Sequence, residues 1–179
     1  MKSAVIATTL LLFSLAAQAA DIDSRPWFVV AAGNTLLAED EGVSNDVLTG
    51  LMAGAGWDFS QMLAAEFNLV SLGSYNLEGG AGEFEASSLS ASLLPHLKFD
   101  RVRLFGRAGL GLWRASLSGT PTEMGVDPLL GIGVDVRLGR AITEWSLRAE
   151  ATRHFSVGEA GVTGESDIDT LLIGFSFRH

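Results

Sequence analysis

Two stretches decide the fold: Asp167-Ile-Asp-Thr-Leu-Leu-Ile-Gly-Phe-Ser-Phe-Arg-His179 and, just upstream, Trp145-Ser-Leu-Arg-Ala-Glu-Ala-Thr-Arg-His-Phe155. Apolar side chains recur at every second residue, at Leu171, Ile173, Phe175 and Phe177 in the first and at Trp145, Leu147, Ala149 and Ala151 in the second. That is the period of a β-strand and not of a helix. The second stretch carries Glu144, Ser146, Arg148, Glu150, Thr152 and His154 on its other face. A soluble sandwich buries the apolar face and wets the polar one. A small membrane barrel turns the apolar face to lipid and packs the charges inside. One strand does not choose between them.

The N-terminus supplies the context. Lys2 precedes the apolar run Ala4–Leu15, and Ala17-Gln18-Ala19 forms a small-x-small site, the pattern of a secretory signal peptide over residues 1–19 that is cleaved after Ala19. This leaves 20–179 as one domain. The chain has no cysteine, hence no disulfide framework and no thiolate metal site. No later stretch reaches the 18 or so consecutive apolar residues that a membrane helix needs. A mature chain that enters a membrane must therefore cross it with strands.

Composition agrees. The chain is 47% hydrophobic and 18% charged, with 21 glycines, 4 prolines and 12 Lys+Arg against 21 Asp+Glu. The acidic balance argues against a nucleic-acid partner. Period-two stretches predict eight strands, at about 26–35, 47–57, 62–69, 88–97, 102–114, 126–138, 144–155 and 167–179. The connections alternate in length. Those after strands two, four and six are tight, and the others are expected to run roughly ten residues, as in an up-and-down barrel with short turns on one side and long loops on the other. Charge follows the same division: Glu39, Asp40, Glu41, Glu78, Glu83, Glu123, Glu159 and Glu165 are read into the long loops, and Lys98, Arg101, Arg140 and Arg178 at the tight-turn end.

Counting by two from the apolar face sends Glu66, Arg103, Arg107, Asp135, Arg137, Glu144, Arg148 and Glu150 inward. Both signs are represented, and eight strands enclose a lumen just wide enough for side chains to fill. Buried charges persist when paired, so the expectation is an ion-paired plug and not a pore. The competing reading is a soluble antiparallel barrel or sandwich with this ladder in water; the leader and the repeated apolar face favour the membrane.

Leu104-Phe-Gly-Arg-Ala-Gly-Leu-Gly-Leu-Trp-Arg114, Asp127-Pro128 with Gly131-Ile-Gly133, Leu147-Arg-Ala-Glu150 and the closing Asp167-Ile-Asp169 with Phe177-Arg178 resemble, in order, the outer-membrane protein A-like transmembrane barrel family. The resemblance implies an all-β, eight-stranded, antiparallel up-and-down barrel of the bacterial outer membrane. It implies a non-enzymatic monomer without a cofactor, surrounded by outer-membrane lipid and lipopolysaccharide and inserted by the barrel assembly machinery. Members usually end in an aromatic residue, where this chain has His179. Nothing in the sequence carries over the periplasmic peptidoglycan-binding domain of the family.

One pattern points elsewhere. His154-Phe-Ser156 followed by Glu165 and Asp169 resembles the His-x-Ser plus acid arrangement of lipid A 3-O-deacylases, also eight-stranded barrels, which would make His154 the base and Ser156 the nucleophile. Counting by two sends His154 and Ser156 inward, away from a lipid substrate, unless a bulge near Arg153 turns them out. His96, His154 and His179 have no metal-ligand spacing. The acidic loops are read as a solvated face in preference to a divalent-cation site bridging to lipopolysaccharide.

Overall fold

The computed structural model describes residues 25–37, 48–76, 83–117, 122–139, 144–157 and 166–178. The leader at 1–19 lies outside them, as do Glu39, Asp40, Glu41, Glu78, Arg140, Glu159, Glu165 and His179. The described residues form β1 (Trp27–Leu37), β2 (Leu48–Asp58), β3 (Leu63–Asn76), β4 (Glu83–Phe99), β5 (Val102–Leu117), β6 (Glu123–Arg137), β7 (Glu144–Val157) and β8 (Ser166–Arg178). Each pairs antiparallel with its sequence neighbour, and β1 closes on β8 from Trp27↔Arg178 to Leu37↔Ile168. A closed ladder leaves no strand edge without a hydrogen-bond partner, the condition for strands to cross hydrocarbon.

The two faces separate as the period requires. Leu69, Leu110, Val126, Ile132, Leu171 and Ile173 all point outward and are exposed, forming a band that suits lipid and not water. Toward the tight-turn end the band closes in rings: Phe177 lies 5.5 Å from Phe28 and 5.3 Å from Trp145, and Trp57 lies 5.4 Å from Phe59 and 5.8 Å from Phe67. Such amphipathic girdles mark the edge of the apolar layer.

Two loop expectations are corrected. The β3–β4 and β5–β6 connections span only 77–82 and 118–122, because these strands pair beyond the apolar pattern, at Asn76↔Glu83, Phe84↔Leu117 and Ala115↔Glu123. Glu83 and Glu123 are therefore strand residues. Outside the lipid layer a strand no longer needs an apolar face, so alternation ends before the ladder does.

Inside, three aromatic rings face a glycine directly across the ladder: Trp27↔Gly56, Phe105↔Gly133 and Trp113↔Gly125. A Cβ at Gly56, Gly125 or Gly133 would strike the facing ring. The missing side chain is the space in which the ring lies, so these glycines are packing partners. Gly133→Ala is expected to lower stability by about 1–3 kcal/mol despite its smaller unfolded-state entropy. Gly106→Ala, whose Cβ would meet only Pro95 Cγ at 3.5 Å, is expected to be neutral or stabilising. Urea unfolding in detergent measures both.

Candidate functional site

The lumen holds the polar chemistry of the molecule. Glu66, fully buried on β3, accepts from Trp27 Nε1 at 2.9 Å, Asn68 Nδ2 at 3.1 Å, Arg107 Nη2 at 2.6 Å and Arg148 Nη1 at 2.7 Å. Four donors match the roughly four lone-pair sites of one carboxylate. They come from β1, β3, β5 and β7, and since β3 and β7 lie opposite each other in an eight-strand ring, the Glu66–Arg148 pair crosses the lumen.

The network continues outward from these two arginines. Arg148 forks onto Asp135, with Nε and Nη2 donating at 2.7 and 3.1 Å, and its Nη1 lies 3.6 Å from Glu150. Arg107 Nη2 also donates to Glu150 at 3.0 Å. Arg103 Nε lies 3.0 Å from Asp135. The Arg148 guanidinium rests 4.8 Å from the Phe105 ring centre, which covers a face that has no hydrogens to donate. Six of the eight charges assigned inward by counting are thus brought into one connected cluster. Arg137 and Glu144 pair with each other at 2.5 Å, half-buried at the rim.

Sequence reading missed a second cluster at the tight-turn end. Asp58, read there as a turn residue, is the buried last residue of β2 and lies 3.0 Å from Lys98, 3.0 Å from Arg178, 3.6 Å from Arg103 and 3.7 Å from His96 Nε2. The signal was present: Asp58 shares parity with the inward Gly54 and Gly56. His96 Nδ1–H donates to the Leu94 carbonyl at 3.1 Å. Also missed was an apolar cluster that fills much of the lumen toward the other end, including Met52, Val70, Leu72, Trp113, Ile168 and Leu172. Charges therefore fill only part of the interior.

His154 and Ser156 do not share a face. His154 is buried inside, its Nδ1 2.7 Å from Asp127 Oδ2. The β7–β8 register then shifts between His154 and Val157, with Ser156 in the left-handed region at φ 56°. That bulge inserts one residue, so Ser156 is exposed and Val157 returns to the interior. The inward placement expected for Ser156 is corrected accordingly, whereas His154 faces in as counted. Asp169 lies on the outer face and is held by Arg153, which donates from Nε at 2.7 Å and Nη2 at 2.6 Å. The Ser156 N–H donates to Asp167 Oδ1 at 3.1 Å. The base-nucleophile-acid set is thus split across the barrel wall.

The outer membrane protein beta-barrel domain matches residues 5–178 of the chain. Neisserial surface protein A is similar in fold, with a TM-score of 0.61 at 17% identity over 86% of this chain and 97% of that one. So are OprG from Pseudomonas aeruginosa (0.56, 13%, 89% and 99%) and Ail, the attachment invasion locus protein of Yersinia pestis (0.51, 14%, 89% and 100%). No curated protein matches the chain in sequence.

The connected cluster makes a graded prediction. Arg148→Ala and Glu150→Ala each leave buried opposite charges without their partner, and are expected to cost about 3–5 kcal/mol. Leu147→Ala, which removes only lipid contacts, should cost less in the same urea titration of folded barrel in lipid vesicles. Equal small losses at all three positions would contradict the assignment of faces.

Proposed function

The chain belongs to the outer membrane protein β-barrel family, and so to the bacterial outer membrane; from that premise we propose that it is a non-enzymatic barrel whose lumen is braced by ion pairs instead of open to ions, with a structural or surface-interaction role. The observation that carries this reading is the convergence of Trp27, Asn68, Arg107 and Arg148 on Glu66. A conducting lumen needs polar groups facing water. Here they face one another, and an apolar cluster lies beside them.

In this reading the tight turns and the aromatic rings at β1 and β8 lie at the periplasmic surface, the long connections reach outward, and the leader is removed after Ala19. The barrel works as a monomer in contact with outer-membrane lipid and lipopolysaccharide, after insertion by the barrel assembly machinery.

The separation of His154 from Ser156 supports the non-enzymatic choice. General-base activation needs the imidazole within about 2.6–3.2 Å of the hydroxyl, and here the histidine is held by Asp127 inside while the serine is outside. Two measurements test the proposal. Purified barrel in planar bilayers is expected to give no steady conductance, and lipid A from cells expressing it should keep its 3-O-acyl chain. A stable ohmic channel, or an acyl loss that Ser156→Ala abolishes, would overturn it.

A further inference from the structure

Cross-strand pairing sets the outward side chains in rows. One row, Phe175↔Val30↔Ala53↔Leu69↔Leu89↔Leu112, crosses β8 and then β1 to β5 and is apolar throughout. The next row begins Ile173↔Ala32↔Leu51 and then changes character, continuing Ser71↔Ser87↔Arg114 on β3, β4 and β5. Barrel strands tilt, so such rows climb the wall. Ile173 stands five residues from the tight-turn end of β8 at Arg178, and Ser87 twelve from that of β4 at Phe99. An apolar groove follows the two rows. Val30, Leu51, Leu69 and Phe175 line it with the short Ala32 and Ala53 between them, and it reaches Ser71, Ser87 and Glu85.

The upper end of this groove is polar. The side chains of Ser71, Ser87 and Arg114 make no hydrogen bond or ion pair among the described residues. Arg153, outward on β7, is by contrast held by Asp169 through two hydrogen bonds. Neighbouring strands lie about 4.8 Å apart, so the two hydroxyls and the Arg114 guanidinium stand side by side on the outer wall. Two residues nearer the tight turns, on the same three strands, Leu69, Leu89 and Leu112 are exposed to the membrane. An arginine at the edge of hydrocarbon extends its guanidinium to headgroup level. The oxygens it meets there belong to lipid, and guanidinium forks match phosphate oxygens in pairs. Glu85, two residues beyond Ser87 and exposed on the same face, sets one negative charge above the row. That charge repels a second phosphate.

We propose that this face binds one phosphorylated lipid, the lipid A of lipopolysaccharide, with an acyl chain in the groove over Ala32 and Ala53 and a phosphate held by Arg114 and the hydroxyls of Ser87 and Ser71. The direction of the groove sets the leaflet, since its polar end is the one nearer the long connections. That this leaflet carries lipopolysaccharide rests on the outer-membrane reading above. The polar row and the groove do not.

The test adds lipid A to the refolded barrel in a nonionic, phosphate-free detergent, with native mass spectrometry to count bound lipid and amide NMR shifts to locate it. The expected result is saturation at one lipid A per barrel, with shifts centred on residues 69–71, 87–89 and 112–114. Arg114→Gln should weaken binding about tenfold, the effect of one charge-assisted hydrogen bond, and Glu85→Gln should tighten it by removing the repelling carboxylate. Ala53→Phe, which fills the groove from a lipid-facing position, should weaken binding with Arg114 intact. Each substitution changes an outward side chain and leaves the lumen alone, and gel migration without boiling checks that the barrel has formed. Lipid A stripped of its phosphates should bind more weakly than intact lipid A by about tenfold or more. No saturable binding, binding indifferent to Arg114→Gln, equal affinity for the phosphate-free lipid, or the same shifts from inorganic phosphate alone would overturn the proposal. None of these outcomes bears on the expected lack of conductance or on retention of the 3-O-acyl chain.

Discussion

The carboxylate of Glu66 has no access to solvent and must find all its partners inside the barrel. It finds them on β1, β3, β5 and β7, so one group holds side chains from four strands in a single arrangement. An ion buried without partners is penalised by many kcal/mol, and a pair with imperfect geometry does not recover the loss. This demands that Trp27, Arg107 and Arg148 arrive at one height in the lumen. That in turn fixes the stagger of the strands that carry them. A shift of one residue in any register would send the partner to lipid.

The lumen is graded along its length from this centre. At the tight-turn end, Asp58 collects Lys98, Arg103, Arg178 and His96. In the middle, Arg107 and Arg148 join Glu66, Asp135 and Glu150. Toward the long connections Leu72, Trp113, Ile168 and Leu172 take over, with the His154–Asp127 pair as a further polar contact. Glycines facing Trp27, Phe105 and Trp113 make room for rings too wide for an eight-strand interior with side chains at every position.

Much of this was legible in sequence because the strand period is two and the faces are so unlike. Starting from Arg148 and Glu150, counting alone reached Glu66, Arg103, Arg107 and Asp135. What escaped has physical causes. Asp58 follows the last apolar residue of its strand and so reads as a turn, although the ladder extends to include it. Val70 follows Leu69 and Leu172 lies between Leu171 and Ile173, so there the chain is apolar on both faces and alternation carries no signal, whereas Leu72, between Ser71 and Gly73, and Ile168, between Asp167 and Asp169, put their apolar side chains on the inward face that the charges occupy elsewhere. Ser156 was misplaced because a bulge adds one residue without changing composition, and its left-handed φ falls on a serine, where a glycine would have marked it. The paired extensions of β3 to β6 were hidden for a related reason: beyond the lipid layer nothing requires strands to alternate.

The central claim is that the Glu66–Arg148 pair acts across the lumen as a brace. A double-mutant cycle with Glu66→Gln and Arg148→Met, read from reversible urea unfolding in lipid vesicles, addresses it directly. The account predicts single losses of about 3–5 kcal/mol each and a coupling of roughly 2–3 kcal/mol, so that the double variant is much more stable than the sum of the two losses implies. Losses that add to within about 0.5 kcal/mol, the behaviour of independent sites, would contradict it.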